Sequence, residues 1–328
     1  MSDAGAEPGG GEETDSSASR DGAGRLSGAL SAIGRRLRGS SEDDLREQLD
    51  ANGDGELALY SAEHRETVDM EHPVRTQVLE DVKETFEHDL ESTYFDERPT
   101  ESQIERQYFD FSYLEEYEEL ERYWVDRPFA YVTILHHPEK DEITYRVVEP
   151  VLDEFETYVR DEFTKILRNS LMYQEIDSEE HKATMFSRRA RELIEEHTAA
   201  IQTISIHKLL YYLVRDFIEL GKIEPIMADE AIEDISCDGV DVPVFVYHRR
   251  YRDLDTNVRF GEQELQSFVV RLAQRSGKHL SLSNPLVDAS LPEGSRIQLT
   301  LGGDVATRGP NFTIRQFSSV PDTPIDLI

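Results

Sequence analysis

One cysteine, Cys237, stands in 328 residues, so neither an intrachain disulfide framework nor a cysteine-rich zinc site can form, and a reducing compartment fits. Lysine is almost as scarce: 7 of the 35 cationic side chains are Lys, and 35 cations against 68 acids leave a net charge of −33. Backbone phosphates are held by Lys and Arg, so this deficit argues against unassisted nucleic-acid binding. A chain so acidic repels itself in dilute buffer and is kept soluble where salt screens its surface, which points to the salt-rich cytosol of a halophile. Long apolar runs are missing too. None approaches the ~18 residues of a membrane span. No apolar core follows Met1 as a secretory signal needs, and the first cation is Arg20. A soluble cytoplasmic protein is expected.

What is present suffices for a core: 38% of residues are apolar and 9% aromatic. Residues 1–24, made of Gly, Ser, Ala, Asp and Glu without hydrophobic period, predict disorder. From Arg25 to Arg38, Leu26, Leu30, Ile33 and Leu37 recur at helical spacing beside Arg25, Arg35, Arg36 and Arg38, with no acid among them. This predicts a short basic amphipathic helix, weakened by Gly28 and Gly34, that is either an inert tail or a contact for an anionic membrane surface or a partner. The stretch Asp50-Ala51-Asn52-Gly53-Asp54-Gly55-Glu56-Leu57 opens like an EF-hand calcium loop. Its twelfth position is Ser61 rather than Glu, so a solvated turn without calcium is expected. Between Val78 and Glu121, 16 acids face three cations, which reads as solvated helical surface.

Further along, Phe129–Leu135 and Ile143–Val148 flank a turn and predict a β-hairpin, with His136 and His137 as exposed turn residues rather than metal ligands. A helix is expected over Ile206–Leu220, with Leu209, Leu210, Leu213, Val214, Phe217 and Ile218 as its core face and Gly221 as its stop. Strands are expected at Ile232–Cys237, Val244–His248, Ser295–Leu301 and Asn311–Phe317, with a helix over Glu262–Ser276 ended by Gly277. Hairpins among the late strands favour an α+β fold over a doubly wound parallel sheet.

Tyr123–Ala130, Val148-Glu149-Pro150, Gly221–Pro225, Ile232–Gly239, Pro243–Arg249, Leu272–Lys278 and Leu291–Leu299 together resemble the N-terminal region of archaeal type II/IV secretion ATPases. These are the motors of archaella, type IV pili and type II secretion machines. The resemblance covers roughly residues 120–328 and not residues 1–100. It implies a homo-hexamer at the cytoplasmic face of the membrane, docked on a membrane platform protein. It also implies ATP and Mg held by a C-terminal P-loop domain, with no cofactor bound by this chain alone and no catalytic residue of its own. Indeed Gly221-Lys222 and Gly277-Lys278 lack both the earlier glycine and the Ser/Thr of a phosphate cradle. Thr323-Pro324-Ile325-Asp326 carries helix-start signals just before the sequence stops at Ile328, so an N-terminal fragment is expected. The alternative is a non-catalytic adaptor or decoy that binds the ATPase ring or the platform.

The organisation so read is a disordered tail with its basic helix (1–45), an acidic helical region (46–122), a hairpin with helices (123–222), a two-layer α/β nucleotide-clamping domain (223–320) and a truncated linker (321–328). Inside this acidic chain, Phe245–Arg315 holds nine Arg and Lys278 against seven acids. Arg249, Arg250, Arg252, Arg271 and Arg275 read as surface cations paired with nearby acids. Near the late arginines, Gly302, Gly303 and Gly309 allow close backbone approach. By the resemblance, Arg296, Arg308 and Arg315 are expected to approach the phosphates of ATP, the charge-stabilising role of an arginine finger.

Overall fold

A computed structural model describes residues 72–90, 93, 95–171, 186, 188, 190–192, 202–302, 306 and 308–317. The tail with its basic helix, the calcium-loop-like segment and the capping sequence near the C-terminus lie outside the described residues, as does Gly303. The chain divides into two compact units, Met1–Gly53 with Asp153–Ile201, and Asp54–Leu152 with Gln202–Ile328.

The second unit is α+β, as the sequence predicts. Helices α1 (Pro73–His88) and α2 (Glu101–Gln107) precede a hairpin series of strands β1 (Glu118–Asp126), β2 (Ala130–His137) and β3 (Glu142–Val148). After α4 (Thr203–Phe217) and the one-turn α5 (Glu224–Met227) come β4 (Ile232–Cys237), β5 (Pro243–His248), β6 (Arg252–Arg259), α6 (Glu262–Arg275), β7 (Leu286–Ser290), β8 (Arg296–Thr300) and β9 (Asn311–Arg315). All nine strands form one sheet in the order β1-β2-β3-β6-β5-β4-β9-β8-β7. Every neighbouring pair is antiparallel except β3–β6, which is parallel over two residue pairs, Thr144 with Asp255 and Tyr145 with Thr256. At that short seam the Asn257 side chain replaces a strand: its Nδ2 donates to the Val147 carbonyl (2.9 Å) and its Oδ1 accepts from the Val147 N–H (2.8 Å).

Two cores explain the patterning. On one side of the sheet, Leu265, Phe268, Val269, Leu272 and Ala273 of α6 pack with Ile235, Val246, Ile297, Leu299, Phe312 and Ile314. On the other side of the hairpin, Val78, Val82 and Phe86 of α1 and Ile204 and Tyr211 of α4 pack with Tyr131 and Leu135. Strand β2 contributes Val132 and Ile134 to the first core and Tyr131 and Leu135 to the second, so it is buried on both faces and reads as a continuous apolar run. Helix α6 ends where expected. The Lys278 N–H bonds to the Ala273 carbonyl (2.8 Å) and the Gly277 N–H to that of Gln274 (2.9 Å), the double closure of a Schellman end.

Several local expectations differ from the fold. Strand β1 runs through acidic sequence that carried no strand signal, with Glu118 and Leu120 exposed at its open edge. His136 and His137 end β2 rather than sit in the turn, and His137 is buried against the Tyr117 ring. Helix α4 stops at Phe217, before Gly221, and it buries Ser205, His207, Lys208 and Arg215 as well as its apolar stripe. Three of these are met by main-chain or charged partners: Lys208 Nζ donates to the Val151 carbonyl (2.9 Å), His207 Nε2 lies 2.7 Å from the Glu97 carbonyl oxygen, and Arg215 pairs with Glu149.

In the first unit, α3 (Glu154–Leu171) opens with a reciprocal cap: the Glu156 N–H donates to Asp153 Oδ1 (2.7 Å) and the Asp153 N–H to Glu156 Oε2 (2.8 Å). Phe155, Val159, Phe163, Ile166 and Leu167 form its buried stripe.

Candidate functional site

Strands β9, β8 and β7, and β4 from Asp234 onward, alternate, with Ile235, Cys237, Phe312, Ile314, Ile297, Leu299 and Val287 facing the core. The period of two then sends the polar positions to the opposite, solvent-facing side. Register aligns them in rows. One row reads Ser290, Arg296, Arg315, Asp234 across β7, β8, β9 and β4, and the next reads Asp288, Gln298, Thr313, Ser236. Strand β5 extends both rows with Tyr247 and Phe245, and β6 with Asp253 and Asp255.

Arg296 and Arg315 are therefore direct cross-strand neighbours. Like charges at such positions, ~5 Å apart at Cβ, destabilise a sheet unless a counter-charge intervenes. For Arg315 that counter-charge is Asp234, which takes Nε on Oδ1 at 2.8 Å and Nη2 on Oδ2 at 3.3 Å. Donating to the Asp234 carboxylate raises the Arg315 guanidinium above its ordinary value. Arg296 is exposed and has no hydrogen-bond or ion-pair partner among the described residues. A two-point guanidinium grip beside a second, free guanidinium is suited to an oxyanion with several oxygens, such as phosphate.

Arg308 stands elsewhere. It lies in the connection after β8, at the end of the hairpin opposite Arg296 and Arg315, beyond the ~13 Å that the four-residue strand rise spans. Its carbonyl accepts the Val240 N–H (3.3 Å), and a Cβ on Gly239 would come within 2.6 Å of that same oxygen, so the main chain at Arg308 is docked on the β4–β5 turn. Gly302, at φ +95°, lies with its missing Cβ 3.0 Å from the Gly309 carbonyl carbon. These close approaches join Gly302 to Gly309, and Arg308 and Gly309 to Gly239 and Val240. The other arginines have identifiable partners: Arg249 meets Glu233 (3.4 Å), Arg250 meets Glu121 (3.0 Å), and Arg252 meets the Tyr247 hydroxyl (2.6 Å). Arg271 and Arg275 donate to the Asp216 (2.6 Å) and Ile218 (2.8 Å) carbonyls.

Two buried polar clusters went unread in the sequence. In the first, Asp229 Oδ2 accepts from the hydroxyls of Tyr123 (2.7 Å) and Tyr145 (2.9 Å), while Oδ1 accepts from the Ala231 N–H (2.8 Å). His248 Nδ1 accepts from the N–H groups of Arg250 (3.0 Å) and Tyr251 (3.3 Å), so the ring proton sits on Nε2 and points to the Tyr123 oxygen (3.3 Å). Burial lowers the His248 pKa, consistent with a neutral ring. It raises the Tyr123 and Tyr145 hydroxyls, with Asp229 adding to both. In the second cluster, Arg215 Nη1 donates to both Glu149 oxygens (2.7 Å each), Tyr211 donates to Glu149 Oε1 (2.6 Å), and Arg215 lies over the Tyr212 ring at 4.6 Å. Burial, then Glu149 and Glu219, push the Asp126 carboxyl up to about 6. Each cluster joins residues from distant parts of the chain, so no local spacing marks it. Asp234 was not singled out in the sequence; the signal that puts it on the exposed face is its alternation, with Ser236, against Ile235 and Cys237.

Among the described residues no three His, Cys, Asp or Glu side chains converge to hold a metal, and no helix is long and apolar enough to cross a membrane.

Comparison with known proteins places residues 77–151, which include most of α1, all of α2 and β1–β3, in a match to the family described as PilB3-like, N-terminal. That match begins well before residue 120, so the resemblance extends further toward the N-terminus than the quoted motifs implied. Two proteins of Methanocaldococcus jannaschii are similar: uncharacterized protein MJ1288, 41% identical over 165 residues, and uncharacterized protein MJ0900, 42% identical over 122 residues. The matches take in 49% and 37% of this chain but 65% and 22% of those proteins, less than two thirds of either. The crystal structure of the VirB11 ATPase from the Brucella suis type IV secretion system, in complex with sulphate, aligns with 22% identity and a TM-score of 0.27 over 32% of each chain. The segment bearing the first three strands is thus similar to the N-terminal domain of PilB3-like proteins.

Proposed function

We propose that this chain is the N-terminal part of a type II/IV secretion ATPase that powers assembly of an archaellum, a type IV pilus or a secretion machine. The observation that carries the reading is the PilB3-like match over residues 77–151. The Arg296–Arg315 pair supplies the site. In this reading the pair faces the phosphates of ATP and Mg held by a P-loop domain, and stabilises charge that develops on the transferring phosphoryl group. Arg308, at the far end of the β8–β9 hairpin, makes a separate contact. The protein acts as a homo-hexamer peripheral to the cytoplasmic face of the membrane, docked on a platform protein.

The test joins this chain to the P-loop domain of a relative and compares Arg296→Glu and Arg315→Glu with Arg250→Glu, whose partner Glu121 and 69% side-chain exposure mark it as a surface residue. Turnover is expected to fall about 100-fold or more in the first two, with melting temperature held. Arg250→Glu loses its exposed pair with Glu121 and sets a like charge beside it, so it is expected to cost about 1 kcal/mol of stability and to leave turnover near normal. Normal hydrolysis by both pair variants in an assembled ring, or early melting of both, sinks the reading.

A further inference from the structure

The proposed phosphate contact leaves one residue unexplained. Asp234 grips Arg315 with the same two-point geometry that a phosphate uses, and it does so from a strand whose main chain is paired on both sides, by β5 and β9. The carboxylate is therefore presented from a fixed position rather than a loop. The pair is also open to water: the Arg315 side chain is 72% exposed and that of Asp234 33%. Exposed pairs of this kind are weak and exchange readily with a competing anion. One strand further, Arg296 points to the same side with no partner among the described residues.

We infer that Asp234 is a built-in competitor for the anion that the Arg296–Arg315 pair takes, so that a di- or triphosphate engages Arg315 only by displacing the Asp234 carboxylate. The inference rests on the anion reading of the pair and adds a control to it. Without an anion, Asp234 neutralises one of two facing guanidiniums and preserves the sheet. When a polyphosphate arrives, Arg296 makes the first contact, Arg315 turns from carboxylate to phosphate, and the released carboxylate then repels the bound anion. The affinity is thereby held down, which suits a group that has to let go of product.

The test measures sodium pyrophosphate binding to the full chain by calorimetry, at the lowest salt at which circular dichroism shows the fold intact. Asp234→Asn keeps an oxygen to accept the Arg315 Nε–H and so preserves its posture, but removes the negative charge. It should bind pyrophosphate about fivefold more tightly than the parent, the scale of a partly screened unit charge ~6 Å from a multivalent anion in water. Asp253→Asn makes the same change of net charge on the same face, three strands and about 14 Å from Arg315, and should bind as the parent does. Arg296→Ala should weaken binding. If Asp234→Asn binds as the parent or more weakly while Arg296→Ala still loses affinity, Asp234 merely holds Arg315 in position and the inference fails with the anion reading intact. If parent, Asp234→Asn and Arg296→Ala are indistinguishable, or all fail to bind, the anion reading itself falls and the inference with it.

Discussion

Replacing Glu224 by Gln should make the protein more stable at pH 8 than the parent and nearly as stable at pH 5. Glu224 opens α5, and its Oε2 accepts the Leu220 N–H at 2.9 Å. Burial pushes its carboxyl from 4.5 up to about 7; Glu219 and Asp126 add repulsion, and the Leu220 N–H and Arg275 act in the opposite direction. Because the folded-state value lies above the unfolded one, the folded chain binds the extra proton between these limits, and stability falls as pH rises through that window. At 1.36 kcal/mol per pKa unit, ionising Glu224 between pH 5 and pH 8 costs the fold about 2–3 kcal/mol. The Gln side chain keeps an acceptor for Leu220 and carries no charge, so it avoids this cost. A shift of that size is about 4–10 °C in melting temperature for a domain of this class. Thermal melts followed by circular dichroism at constant salt, from pH 5 to pH 8, should show the two proteins diverging as pH rises. Parallel melting curves across that range, or a less stable Glu224→Gln protein at pH 8, would refute the placement of this carboxyl in a charge-averse turn.

Asp229→Ala strips the acceptor from two tyrosine hydroxyls and from the Ala231 N–H. It should cost about 3 kcal/mol by urea denaturation, whereas an effect under ~0.5 kcal/mol would remove this cluster from the list of structural supports. A net charge of −33 should make folding depend on salt. Since the Debye length grows from ~3 Å at 1 M to ~10 Å at 0.1 M, melting temperature should drop on dialysis from 3 M salt into dilute buffer, and an unchanged value would count against the halophilic composition argument.

The α+β class, the β2–β3 hairpin, strands β4, β5, β8 and β9 and the core face of α6 were legible in the sequence because each is written in local periodicity. Apolar residues recur every second or every third to fourth position, and Gly277 closes α6 with its own hydrogen bonds. The same alternation sets Arg296 and Arg315 at exposed positions of β8 and β9. Strand β1 was not legible, since its partly buried, acid-rich sequence becomes a strand through pairing with β2. Long-range register decided what the arginines meet. Arg296 comes opposite Arg315, Asp234 comes opposite Arg315 from 81 residues away, and Arg308 is carried to the other end of the hairpin. The buried clusters at Asp229 and Glu149 belong to the same class: their members approach only when β1, β3, α4 and the α5–β4 turn pack together. Periodicity assigns a side chain to a face, because it depends on neighbours along one strand or helix. Its partner on that face depends on which strands lie side by side, and chain closure over tens of residues determines that.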